Sequence, residues 1–247
     1  MQNIYKISMI NDILWLITAR SGSKSIKDKN IKLLNQIPLI HYRIKTAIAL
    51  SKKENIWVST DSEKYARIAS DAGATIPFMR PPELSTDSAS SMDVVLHAMQ
   101  YANENGMSYK FIGLLEPTSP FIYKLDLINA ISKLRDDQNA EAVVAVKESR
   151  PNTFYIQNNS PYLDVLAERF ENRTKLGRQE FSMEITPSGG FYIAKWNSFL
   201  QHKTFYTKNT IAYLIPDECS LEIDEPLDWK WAEFLISENI VNVHKII

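Results

Sequence analysis

Residues 16–31 read Leu-Ile-Thr-Ala-Arg-Ser-Gly-Ser-Lys-Ser-Ile-Lys-Asp-Lys-Asn-Ile, and this stretch decides the fold. Leu14, Trp15, Leu16 and Ile17 form a short apolar run of the kind a buried strand shows, closed by Thr18 and Ala19. A polar loop follows with Arg20, Ser21, Gly22, Ser23, Lys24, Lys27, Lys29 and Asn30. In open α/β sheets, ligands bind beyond the carboxyl ends of the strands. Small residues there let backbone N–H groups approach phosphate oxygens, and lysine or arginine supplies charge. The loop therefore reads as a triphosphate cradle, with a solvated basic turn as the alternative. It is not a P-loop, because Ser23 precedes Lys24 where Gly-x-x-x-x-Gly-Lys-[Ser/Thr] needs glycine. It is not a dinucleotide fingerprint either, since Gly22 stands alone.

Working outward, residues 39–50 repeat apolar side chains at helical spacing, and residues 56–60 form a second strand. Asp61 or Ser62 caps the next helix, which Gly73 ends. Residues 75–78 make a short extended piece confined by Pro77 to an edge or strand end. A helix begins at Asp93, a strand covers 110–115, a helix 126–134, a strand 141–146, a strand 211–216 and a last helix ends at Ile236. This alternation predicts an α/β fold, Rossmann-like in three α/β/α layers, with a mostly parallel central sheet and right-handed crossovers. From Arg150 to Arg178 the helical period fades, and an excursion from the sheet is expected there. A segment of that size rarely makes its own core. The chain is therefore expected to be a single domain over residues 1–247, with 148–186 inserted.

Composition narrows the function. The 247 residues are 45% hydrophobic, enough for a sizeable core, and the net charge of −1 argues against nucleic acid as a partner. No apolar run approaches the ~18 residues of a membrane span, and the first residues lack a secretory h-region. Cys219 is alone, which fits a reducing cytoplasm. His41, His97, His202 and His244 are scattered without zinc-ligand spacing.

Four ordered motifs carry a resemblance. The first is Ala19-Arg20-x-Gly22-Ser23-Lys24-x-Ile26-x-x-Lys29-Asn30. The second is Arg80-Pro81-x-x-Leu84-x-x-Asp87-x-Ala89-x-Ser91-x-Asp93-Val94. The third is Leu114-Leu115-Glu116-Pro117-Thr118-Ser119-Pro120, and the fourth Arg178-Gln179 followed by Pro187-Ser188-Gly189. Together they resemble the acylneuraminate cytidylyltransferases, nucleotidyltransferases that make CMP-sialic acid and related CMP-sugars. The resemblance spans about Leu14 to Ile236. It implies CTP and a nine-carbon keto-acid sugar as partners, Mg2+ as cofactor, and a homodimer built through the inserted segment. It implies catalytic roles for Arg20 and Lys29, and nucleotide contacts from Ser23, Lys24, Asn30, Arg80, Ala89 and Ser91. It implies sugar contacts from Glu116, Thr118, Ser119, Arg178, Gln179 and Ser188. The chain departs from the usual pattern with serine for glycine at Ser21 and Ser25, glutamate for glutamine at Glu116, and serine for asparagine at Ser188. A carboxylate at 116 accepts hydrogen bonds but donates none unless protonated, which points to a modified sugar.

For the metal, residues 221–229 read Leu-Glu-Ile-Asp-Glu-Pro-Leu-Asp-Trp. Strand alternation would put Glu222 and Asp224 on one face, and two carboxylates beside a triphosphate suit Mg2+. The competing reading is an acidic helix N-terminus favoured by the macrodipole, which accounts for Glu225 and Asp228 but not Glu222. The family pattern makes Asp224 the first ligand and Glu222 the second. Two alternatives remain: a cytidylyltransferase for the eight-carbon sugar Kdo, and a sugar-nucleotide-binding module without catalysis.

Overall fold

The computed structural model describes residues 10–149, 155–156, 163–164 and 184–247. Among the described residues ten strands run in chain order: β1 (Ile13–Thr18), β2 (Leu33–Leu34), β3 (Ile37–Pro38), β4 (Ile56–Ser59), β5 (Phe111–Leu115), β6 (Ala142–Glu148), β7 (Tyr155–Ile156), β8 (Leu163–Asp164), β9 (Ile185–Lys195) and β10 (Thr210–Leu214). The described α-helices are α1 (Leu39–Ile48), α2 (Glu63–Asp71), α3 (Ser91–Glu104), α4 (Lys124–Asp136), α5 (Trp196–His202) and α6 (Pro226–Ser237). None of them is long and apolar enough to cross a membrane.

The central sheet has the order β10-β6-β9-β5-β1-β4. All neighbours are parallel except β9, which pairs antiparallel with both β5 and β6. β1 therefore has β4, the next strand of the sheet along the chain, on one side and β5 on the other. That reversal opens a crevice at the carboxyl ends of β1 and β5, where α/β sheets hold ligands.

Period-two alternation along β1 divides the core in two. Ile13, Trp15 and Ile17 pack with Ile40 and Ile44 of α1, Tyr65 of α2 and Leu127 of α4. Leu14 and Leu16 face the other way, against Val95 and Met99 of α3 and Phe199 of α5. Burial on both faces is why the strand is apolar throughout rather than alternating with polar residues. A third cluster stands apart: Ile26 of the first loop, Leu34, Phe121, Ile223, and Trp229, Ala232 and Leu235 of α6. It joins the start of the chain to its end.

The expected elements appear with ends shifted by a few residues. Ser62, not Asp61, caps α2, accepting from the Tyr65 N–H at 3.4 Å. Residues 75–78 contribute only an isolated parallel bridge between Trp57 and Thr75. The strand expected at Glu222 and Asp224 is absent: residues 221–224 carry no regular structure. Ile223 is fully buried and its N–H donates to the Thr118 carbonyl at 2.8 Å, so the segment is pinned at one residue instead of paired along an edge. Most of the expected excursion at 148–186 lies outside the described residues.

Candidate active site

The first loop is braced at several points. The Ala19 N–H donates to the Ser59 carbonyl at 3.0 Å, and the Ser21 N–H and hydroxyl each donate to one oxygen of Asp61 at 2.7 Å. Gly22 follows at φ 77°, a left-handed conformation that costs glycine nothing. The Ser25 hydroxyl donates to Glu225 Oε1 at 3.0 Å, at the start of α6. Asp28 accepts from Lys64 Nζ and the Tyr65 hydroxyl, both at 3.2 Å, just before the short 3-10 turn Lys29–Ile31. The two serines that replace glycine thus tie the loop to neighbouring elements. Lys29 ends up largely buried, donating from Nζ to the Ile223 carbonyl at 2.8 Å and to Asp224 Oδ1 at 2.9 Å.

Beyond this loop lies one cleft. It is lined by Arg20, Ser23, Lys29 and Asn30 from the first loop, Arg80, Asp87, Ala89 and Ser91 from the second, and Glu116 and Thr118 from the end of β5. Three segments far apart in sequence therefore share one cavity. Arg80 forms its buried wall, with Nε donating to Ser59 Oγ at 3.0 Å. Burial draws its pKa down to about 10, so it remains a cation at neutral pH. Asn30 Nδ2 donates to the Arg20 carbonyl at 3.3 Å. Asp87 bridges two cations, Arg20 Nη2 at 2.7 Å and Lys24 Nζ at 2.6 Å. Lys24 does not line the cleft and stands exposed on its rim. The bond from Lys24, its charge and the bond from Arg20 hold the Asp87 carboxyl below its ordinary pKa.

The far side of the cleft is acidic. Among the described residues, no side chain or backbone group is hydrogen-bonded to the Glu116 carboxylate. Burial first, then the charges of Glu222 and Asp224, push its pKa up to about 7 against the opposing pull of Arg43 and Lys29. Ser119 and Ser188 are fully buried, the Ser119 hydroxyl donating to the Ser188 carbonyl at 3.2 Å, so this pair shapes the lip from inside. Gly189 lies beside them at φ 65°; a Cβ there would sit 2.5 Å from Ser119 Oγ and 2.9 Å from Glu222 Oε2. Arg178 and Gln179 lie outside the described residues.

The carboxylates expected to hold a metal each meet a lysine: Glu222 Oε1 is 3.2 Å from Lys147 Nζ, and Asp224 binds Lys29. No three histidine, cysteine, aspartate or glutamate side chains form a metal cluster among the described residues. That donor set suits magnesium, which needs only one or two carboxylates when phosphates and water supply the rest. Burial is the first cause of the raised Glu116 pKa, and the charges of Glu222 and Asp224 add to it.

Three residues here were not singled out from sequence. Asp87 stands inside the second motif among serines and threonines and reads as loop. Asp61 reads as a helix cap, yet its carboxylate holds the first loop; burial raises its pKa, and the bonds from Ser21, its own backbone N–H and the charge of Arg80 together bring it below the ordinary value. Arg43 falls on the apolar stripe of α1 with Ile40, Ile44 and Ala47 and is fully buried. A charged residue on a core-facing stripe was the available signal.

A family model described as cytidylyltransferase matches residues 14–228. The chain is 34% identical over 224 residues to an N-acylneuraminate cytidylyltransferase of Escherichia coli, covering 91% of this chain and 52% of that protein. It thus spans about half the length of that relative. It is 30% identical to a CMP-N,N'-diacetyllegionaminic acid synthase of Legionella pneumophila, covering 92% of this chain and 97% of the relative. In fold it is similar to a CMP:2-keto-3-deoxy-manno-octonic acid synthetase solved with CTP, at a TM-score of 0.64 and 15% identity, over 92% of this chain and 99% of the other.

Proposed function

The chain belongs to the cytidylyltransferase family, and on that premise we propose that it transfers CMP from CTP to the anomeric hydroxyl of a sialic-acid-like nonulosonic acid. The observation that carries this reading is the convergence of three distant segments on one cleft, cationic on the first-loop side and acidic at the end of β5. Relatives named for N-acylneuraminate and for diacetyllegionaminic acid support a nine-carbon keto-acid acceptor.

The sugar hydroxyl oxygen attacks the α-phosphorus as its proton passes to solvent, the bond from that phosphorus to the oxygen bridging to the β-phosphate breaks, and pyrophosphate leaves. CTP carries roughly four negative charges, and the acceptor adds a carboxylate, so repulsion opposes the encounter. Arg20 and Lys29 lower that barrier by neutralising the triphosphate and then the charge that grows on the leaving group. Ser23 and Asn30 position phosphate oxygens, with Lys24 at the rim. Arg80, Ala89 and Ser91 surround the cytosine and ribose. Glu116 and Thr118 face the sugar, over a lip set by Ser119 and Ser188. Magnesium bound by Asp224 and Glu222 would supply further charge neutralisation at the phosphates. The reading includes a homodimer, to be checked by sedimentation.

Pyrophosphate release from CTP, measured with a panel of nine-carbon and eight-carbon keto-acid sugars, tests the reading. Turnover is expected with at least one nine-carbon acceptor. Turnover with the eight-carbon sugar alone moves the assignment to a Kdo-type enzyme, and silence with every acceptor removes the catalytic reading. Asp224→Asn should abolish magnesium-dependent pyrophosphate release; unchanged metal dependence reassigns Asp224 to capping and to anchoring Lys29.

A further inference from the structure

None of Ser59, Thr60 and Asp61 lines the cleft, yet the two loops that wall it both hang from these three residues at the carboxyl end of β4. The Ser59 carbonyl accepts from the Ala19 N–H at 3.0 Å and also from Arg80 Nη2, and the Thr60 carbonyl accepts from the Arg80 N–H at 2.8 Å. Asp61 completes the set with both carboxylate oxygens on one residue. Its Oδ1 accepts from the Ser21 N–H and its Oδ2 from the Ser21 hydroxyl, each at 2.7 Å. Bonds of that length to an ionised acceptor are of the strong, charge-assisted kind. Ser62 caps α2, so that helix does not need the Asp61 carboxylate. The Ser21 N–H is spent on Asp61 and is not offered to a phosphate. The chain then turns at Gly22, φ 77°, and Ser23 is the next residue to line the cleft. A carboxylate close to a polyanion site repels the ligand. Its presence calls for a gain that outweighs the repulsion, and a loop ordered before the ligand arrives is such a gain, because ordering it afterwards would draw on binding energy.

We propose that Asp61 and Ser21 are positioning residues for the triphosphate: the two bonds between them fix the first loop in its ligand-binding shape in the empty protein, and the phosphate-facing backbone begins at Ser23. This rests on the proposed function and deepens it by giving a role to serine at a position where glycine is usual. A glycine at position 21 would keep the N–H bond to Oδ1, lose the hydroxyl bond to Oδ2 and gain backbone freedom. Restoring the commoner residue therefore loosens the loop. Ser21 and Asp61 act through Arg20 and Ser23, the neighbours that line the cleft.

The test compares Ser21→Gly, Asp61→Ala and the double variant with Asp61→Asn, whose amide can still accept from the Ser21 N–H and donate to the Ser21 hydroxyl oxygen. Calorimetry reads CTP binding, kinetics read the KM for CTP beside the KM for acceptor, and trypsin reads the ligand-free loop through cleavage after the exposed Lys24 and Lys27. Ser21→Gly is expected to weaken CTP binding about threefold and Asp61→Ala about tenfold, with the acceptor KM unchanged. The double variant should be little worse than Asp61→Ala, since both bonds are already gone. Both single variants should be cut faster than wild type, and Asp61→Asn should recover part of both losses. CTP binding or cleavage at the wild-type level in Ser21→Gly and Asp61→Ala, equal losses for CTP and acceptor, or no recovery in Asp61→Asn would overturn the proposal. A wild type that binds no CTP defeats the functional reading instead, and the cleavage rates then decide the loop alone.

Discussion

Asp87 shows how one side chain tunes the cleft before any ligand arrives. Its two oxygens hold Arg20 and Lys24, the cations that the proposed function gives to the triphosphate. Asp87→Ala should free them, and a calorimetric titration should find CTP or inorganic pyrophosphate bound severalfold more tightly; weaker binding would mean that Asp87 organises the loop instead of competing for it. Glu116 makes a prediction about pH. A carboxyl whose pKa is raised in the folded state keeps its proton longer there than in the unfolded chain. The stability this gives is present below the ordinary value of 4.5 and is lost as pH rises to about 7. Glu116→Gln removes that dependence. The melting gap between variant and wild type should therefore shift in favour of the variant from pH 5 to pH 8, by on the order of 1–3 kcal/mol in stability. A gap independent of pH would place the carboxyl in a less buried setting. The departure at Glu116 was legible in sequence because a motif surrounds it. Its altered acidity was not, because that depends on burial and on acids more than a hundred residues away.

At the scale of elements, an apolar anchor positions the polar groups. Ile26 in the first loop and Ile223 before α6 share a cluster with Trp229 and Leu235. Between them they bring Lys29 to Asp224. Sequence periodicity and apolar runs located the longer helices and the buried strands, but not the short β2, β3 and α5 (Trp196–His202), which are too brief to show a repeat. Periodicity misassigned residues 221–224, where one buried isoleucine between two acids imitates an alternating strand. Ile223→Ala should cost about 2–5 kcal/mol in chemical denaturation, the usual range for emptying such a site. The same variant should weaken CTP binding, because Lys29 loses its carbonyl partner's fixed position. A destabilised variant that binds CTP normally would separate the anchor from the site.

For the molecule as a whole, the antiparallel β9 between β5 and β6 was beyond sequence reading, since apolar strands buried on both faces carry no mark of direction. The switch between β4 and β5 around β1 was not legible either, because strand–helix alternation implies parallel pairing but not strand order, and it sets where the cleft opens. The first loop, the Asp87 loop, the end of β5 and the entry to α6 all gather at that end of the sheet. The arrangement makes Lys29 the point where the amino-terminal cations meet the carboxyl-terminal acids. The most direct measurement is the rate of pyrophosphate release from CTP by Lys29→Ala, beside its melting temperature. A fall in rate of about 10²–10³ with the fold intact is the predicted result; a well-folded variant that turns over at the wild-type rate would contradict the account.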